Sequence, residues 1–146
     1  MKYKKILIIA LIALIAIVLV GSVQAQSDVT KTTIRGIDFN VPNDFEVYSC
    51  DLDSVSDTGL STTDTYIYKD SNNDISSIMV IEFNDANGLD HLLNEQDDGE
   101  KTTINGHEGY LSDDDVTGGV LFKYIDGKCL VEVSAQSMTQ LEKIII

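Results

Sequence analysis

The sequence predicts an α+β domain, a mostly antiparallel β-sheet with two amphipathic helices packed on it, behind an N-terminal hydrophobic helix. Three observations predict it. Arg-Gly, Asn-Gly and Asp-Gly pairs lie between runs that alternate apolar and polar residues, as in β-hairpins. Two stretches place apolar residues at i, i+3 and i+4, the spacing of one helix face. Residues Ile6 to Val20 are apolar without a break and follow Lys2, Lys4 and Lys5.

That first run sets the address of everything after it. A basic n-region, an apolar h-region and the small-residue stretch Gly21-Ser22-Val23-Gln24-Ala25 make an export signal. Counted through Val23, the run also reaches the length of a membrane span. Two fates stay open: cleavage after Ala25, or retention as a membrane anchor. Lysines on the amino side place the N-terminus in the cytoplasm in both, so the rest is expected outside the membrane, tethered to it or secreted. The expected organisation is 1–25 as signal peptide or N-terminal membrane anchor, 26–31 as a short linker, and 32–146 as a single α+β domain.

Taking the elements in order, Arg35-Gly36 is read as a turn that sets Thr32 and Ile34 beside Ile37, Phe39 and Val41, with Pro42 ending the strand. Strands are expected at Phe45 to Cys50, Thr65 to Lys69 and Ile75 to Phe83. The last has apolar residues on both faces and reads as central. Leu89, Leu92 and Leu93 mark a helix over Asn87 to Gln96, with Asp85 or Asn87 as its cap. Asn105-Gly106 turns a hairpin with Ile104 opposite His107 and Thr103 opposite Glu108. Asp126-Gly127, read as a two-residue loop, places Tyr124 opposite Cys129, Phe122 opposite Val131 and Val120 opposite Val133 on one inner face. Leu121, Lys123, Ile125, Leu130, Glu132 and Ser134 fall on the other, expected to be partly exposed. Ser137 and Gln140 open a capping-box pattern for a C-terminal helix with Met138, Leu141, Ile144 and Ile145 on its apolar stripe.

Charge narrows the partners. Beyond residue 25 the chain has seven basic and 24 acidic side chains, a formal −17. Such a surface repels nucleic acid and anionic headgroups and favours cations or basic partners. Two cysteines, Cys50 and Cys129, remain where disulfides persist. A bridge over that separation would stabilise the fold by about 4 kcal/mol in the chain-entropy model. Two reduced, buried thiols are the other reading, and the sequence leaves both open.

The stretches Thr33-Ile-Arg-Gly-Ile-Asp-Phe-Asn-Val-Pro-Asn-Asp-Phe45 and Ile104-Asn-Gly-His-Glu-Gly-Tyr-Leu111, with the closing strand pair before a C-terminal helix, resemble small exported domains of prokaryotes, many from methanogenic archaea. The element order is similar to the PsbP-like α/β sandwich. The resemblance covers about Lys31 to Ile146. It implies a fold and a binding or assembly role, and it assigns no site residue.

Catalytic patterns are thin. His91 lies among leucines of the first helix, and His107 starts a strand. Neither has a neighbouring nucleophile in the sequence. Asp70-Ser-Asn72-Asn-Asp74 opens like a calcium loop, but Ile75 stands where the glycine belongs and Ile81 where the bidentate acid belongs. It reads as a polar turn. The other carboxylate clusters are Asp51, Asp53 and Asp57, and Asp113 to Asp115. No catalytic residue, metal ligand or cofactor is assigned. The expected function is therefore noncatalytic: contact with, or assembly of, another envelope protein, with the membrane engaged through residues 1–25 if they are uncleaved. An extracytoplasmic cation- or small-ligand-binding module is the alternative, and the oligomeric state is left open.

Overall fold

A computed structural model describes residues 28–95 and 99–146; the N-terminal hydrophobic helix and the cleavage site read from the sequence lie outside them. Among the described residues no helix is long and apolar enough to cross a membrane. In chain order come β1 (Val29–Ile34), β2 (Ile37–Pro42), β3 (Glu46–Val55), β4 (Ser61–Lys69), β5 (Ile75–Phe83), α1 (Leu89–Glu95), β6 (Glu100–Ile104), β7 (His107–Asp114), β8 (Gly119–Asp126), β9 (Cys129–Ala135) and α2 (Met138–Ile144). The class is α+β, with a mostly antiparallel sheet and two short helices. β1 already begins at Val29, inside the stretch expected to be linker.

Seven strands form one sheet in the order β3-β4-β5-β9-β8-β7-β6, and β1 and β2 form a separate hairpin. Two meanders, β3-β4-β5 and β6-β7-β8-β9, meet where β5 pairs antiparallel with β9. α1 connects the two halves. β5 is interior, as its two apolar faces required, but the middle strand is β9. Six of its seven residues are buried and only Glu132 is partly exposed.

The turns follow from local chemistry. Arg35 (φ 48) and Gly36 (φ 82), and Asn105 (φ 48) and Gly106 (φ 92), have the paired positive φ of a type I′ turn. Ile34 thus pairs with Ile37, and Ile104 with His107. The third hairpin corrects the sequence reading. Its loop is Gly127-Lys128, with Asp126 opposite Cys129, so Tyr124 pairs with Val131, Phe122 with Val133 and Val120 with Ala135. Gly127 alone takes a positive φ (59), at the first loop position, as a II′ turn requires. The slip is by two residues, so every side chain keeps its expected face.

The inner face carries the core: Tyr68, Ile78, Val80, Ile104, Phe122, Tyr124, Val131, Val133 and Ala135 from the sheet, covered by Ile34, Phe39 and Val41 of the hairpin and Leu141, Ile144 and Ile145 from α2 and its end. α2 forms because Ser137 caps it, its side chain accepting from the Gln140 amide. The Gln140 side chain accepts from the Gln136 amide (2.8 Å) instead of closing a reciprocal box. At its other end the Asn105 amide group donates to the carbonyls of Glu142 and Ile145, both at 2.8 Å. A turn residue thus satisfies carbonyls that a helix end leaves open. Phe39 bridges to Ile145 and ties the hairpin to the C-terminal segment.

On the outer face, α1 buries Leu89 and Leu93, and Leu130 beneath is 6% exposed. Ser134, expected to be half-open, is also buried, bonded to Asp114 and Thr117 of the β7–β8 turn. Neither proposed cap immediately precedes α1. Asp85 accepts from the Asn87 amide (3.0 Å) and turns the chain in ahead of Gly88.

Close approach sets two glycines, Gly109 and Gly119. A Cβ at Gly109 would stand 2.1 Å from the Lys123 carbonyl oxygen and 2.8 Å from the Phe122 ring. Backbone cannot yield as a surface side chain can, so Gly109→Ala is expected to cost about 1–3 kcal/mol. The check is a lower urea midpoint at unchanged m-value; an unchanged midpoint would refute the packing described.

Candidate interaction surface

β3 is an edge strand whose residues never settle into a period of two. Glu46-Val-Tyr-Ser-Cys-Asp-Leu-Asp-Ser-Val55 interleaves apolar and acidic side chains, and its pairing with β4 shifts twice, between Val47 and Ser49 and between Asp51 and Ser54. Each extra residue changes which face the next side chain takes. Apolar groups therefore land where nothing covers them. Val47, Tyr48, Leu52 and Val55, with Leu60 in the following turn, are all about half to two-thirds exposed. Of the seven large apolar residues exposed on the described surface, these are five; the others are Val116 and Ile146. Tyr48 is not bare of polar company, since Lys69 Nζ lies 4.8 Å from its ring centroid.

The hairpin and α2 cover the inner face as far as Tyr68, which is 4% exposed, and stop short of β3. Burial pushes the Tyr68 phenol up to about 12, with Tyr66 and Cys50 adding smaller contributions. Beyond it, Cys50 stands opposite Tyr66 with its side chain exposed.

A charged clamp anchors β3 to the rest. Arg35, at the first position of the β1–β2 turn, donates to Glu82 (2.9 Å), Asp64 (2.7 Å) and Asp53 (2.9 Å). The Asp53 amide donates to the same Asp64 carboxylate at 2.8 Å. This holds Asp53 at a positive φ (55) in the second irregular stretch. Lys128 reaches the other Glu82 oxygen at 2.7 Å. Lys128 first, then Arg35, holds the Glu82 carboxyl below its ordinary value. Burial would lower the Arg35 guanidinium, but its bonds to Asp64 and Glu82 outweigh that and raise it. The partners of Arg35 are 18, 29 and 47 residues away in sequence, so no local pattern announces the clamp.

Two of the concavities among the described residues are larger and lie elsewhere. A groove of about 840 Å³ runs between β2 and α2, with Pro42, Phe45 and Ile145 on its walls and Asp28, Asp44 and Glu142 among its polar residues. A second, of about 520 Å³, lies between α1 and the β6–β7 hairpin and brings His107 near Asp90 and Glu108. His107 packs its ring 4.4 Å from that of Tyr124, and its Nε2 lies 3.0 Å from the Ile146 carbonyl oxygen. Among the described residues, no serine, threonine or cysteine lines that cleft. Tyr110 there donates its hydroxyl to Asn94 at 2.5 Å. His91 is exposed on α1 and does not line it.

The other sequence candidates are accounted for by turns. Asp70 Oδ1 accepts from the amides of Asn72 (2.8 Å) and Asp74 (2.9 Å), which closes the β4–β5 connection. Asp114 is pushed up by burial, but the Ser134 and Thr117 hydroxyls and the Val116 amide outweigh this and hold it below the ordinary value. Among the described residues, no three of His, Cys, Asp or Glu stand together as metal ligands. Cys50 and Cys129 are free thiols, one exposed and one buried. Strands β4 and β5 lie between theirs, a separation of about 14 Å at ordinary strand spacing, beyond the reach of a bridge. The bridged reading is thereby corrected, and the alternative of two buried thiols holds for Cys129 alone. Burial, then the nearby Glu82, raises the Cys129 thiol and makes it a poor nucleophile.

No protein-family model matches the chain, and no curated protein or solved structure matches it significantly.

Proposed function

We propose that this chain is a noncatalytic domain working outside the cytoplasmic membrane, secreted or tethered by residues 1–25, through contact with another envelope protein. The observation that supports this is the gathering of Val47, Tyr48, Leu52, Val55 and Leu60 in an exposed state on one edge strand and its turn. Large apolar side chains grouped on an otherwise acidic surface mark a place where water is to be displaced. The antiparallel sheet with α2 on one face and α1 toward the other supports the PsbP-like reading of the fold.

A photo-crosslinking residue placed at Tyr48 or Leu52 of the full chain, expressed in its own membranes, is expected to give one discrete heavier adduct. The same residue at Asn72, in the exposed β4–β5 turn, is expected to give none. Equal labelling from all three positions, or none from any, would sink the contact reading. Silent crosslinks together with a melting temperature raised by millimolar calcium would instead move the assignment to a cation-binding module, which the acids around the β2–α2 groove favour.

A further inference from the structure

We propose that β3 pairs antiparallel with the β3 of a second copy of this chain, about a two-fold axis at Cys50; the inference rests on the contact reading above and names its partner. The opposite edge of the sheet is β6, five residues long and with no large apolar side chain exposed. β3 is ten residues long and carries the exposed apolar group.

Self-pairing fixes a register, because a two-fold axis across two antiparallel strands sets one residue opposite its own copy. With the axis at Cys50, Tyr48 faces the partner's Leu52. All three acids of β3 then face uncharged residues: Glu46 the partner's Ser54, Asp51 the partner's Ser49, and Asp53 the partner's Val47. Moving the axis to Asp51 sets that carboxylate on its own copy. Moving it to Ser49 sets Val47 against the partner's Asp51 and Leu52 against the partner's Glu46. Of these three, the axis at Cys50 sets Tyr48 on the partner's Leu52, keeps every acid off another acid, and leaves one apolar residue, Val47, against a carboxylate, the partner's Asp53.

The two irregularities of β3 agree with that axis. They fall at Tyr48 and at Leu52-Asp53, on either side of Ser49–Asp51, so the axis sits mid-way along the straight stretch. Backbone pairing belongs to those three residues, and beyond them the contact is Tyr48 against the partner's Leu52. Each chain carries a formal −14, so the two copies repel at long range and added salt strengthens the pairing. A basic partner at the same edge would show the opposite salt dependence.

The test uses the full chain in membranes with diamide as oxidant, read on a non-reducing gel. Diamide takes up the two hydrogens as two thiols join, and residues directly opposite across an antiparallel pair lie within disulfide reach. The wild type and Cys129→Ser are expected to give a dimer band and Cys50→Ser none. A mixture of Cys50→Ser/Ser49→Cys with Cys50→Ser/Asp51→Cys chains is expected to crosslink, while neither does so alone. Leu52→Lys, on an exposed site that leaves folding intact, is expected to slow the wild-type crosslink at least tenfold. Equal crosslinking by the single and mixed chains, or no effect of Leu52→Lys, would mean collision and overturn the pairing. If the pairing fails while a heavier adduct with a different protein persists at Tyr48, the contact reading stands with that partner. Loss of both results removes both.

Discussion

Phe39→Ala is expected to destabilise the domain by about 3–5 kcal/mol, measured by urea denaturation. Its ring is fully buried where the β1–β2 hairpin meets the sheet, among Val131, Phe122 and Leu141 of one core cluster. It also bridges to Ile145, so its loss opens a void beneath both covering elements at once. Domains of this size are stable by about 5–15 kcal/mol, which makes the change a large fraction of the whole. The effect is expected to be uneven. Hydrogen exchange in β1 and β2 should accelerate more than in β8 and β9, because apart from the Arg35 clamp and the Phe39–Ile145 bridge the hairpin is held to the sheet by apolar packing. Uniform acceleration across the sheet would show instead that the hairpin is not a separable cover.

Arg35→Met is expected to cost about 3 kcal/mol at neutral pH, since removing one member of a buried ion pair leaves the other charge without compensation. Arg35 and Asp64 side chains are 11% and 16% exposed, and that pair accounts for most of the loss. Asp53, at 88% exposed, contributes little. The pH dependence has a definite sign. The Glu82 carboxyl is held below its ordinary value, by Lys128 first and Arg35 second, so its stabilisation is present above the unfolded glutamate value and is lost as pH falls through the lowered one. The part of the difference between wild type and Arg35→Met that comes from Glu82 should therefore be fullest above the ordinary glutamate value and shrink as the pH falls through the lowered one. A gap independent of pH would show that the loss is one of packing alone. The variant also frees the Asp53 stretch of β3, so it should weaken crosslinking from Leu52 even where the domain remains folded.

Much of the fold is legible residue by residue. Asn105-Gly106 specifies a I′ turn because both residues tolerate positive φ, whereas at Arg35-Gly36 only the glycine does; both turns carry their registers with them. The Asp126-Gly127 loop was misplaced by one position at each end because one glycine serves either a I′ or a II′ turn. What decided it lies elsewhere in the chain: the β9–β5 pairing sets Glu82 opposite Cys129, and Lys128 bonds to Glu82. The candidate surface was less legible. The sequence pattern predicts a strand from Phe45 to Cys50. β4 carries it on to Val55 through two irregular pairings. The exposed state of Val47, Tyr48 and Leu52 follows from where the covering layer ends, and no local pattern states that.

The sequence by itself determined two of the three hairpin turns, the inward and outward faces of most strands, the cap of the last helix and the acidic character of the surface. Each of these is settled by a few neighbouring residues through backbone sterics, side-chain alternation or charge. Only the tertiary structure decided that β5 meets β9, that Arg35 gathers carboxylates from three distant positions, that the two cysteines stand apart, and that β3 is left uncovered. Those outcomes depend on sums of weak contacts between segments tens of residues apart, and short-range patterns do not encode such sums.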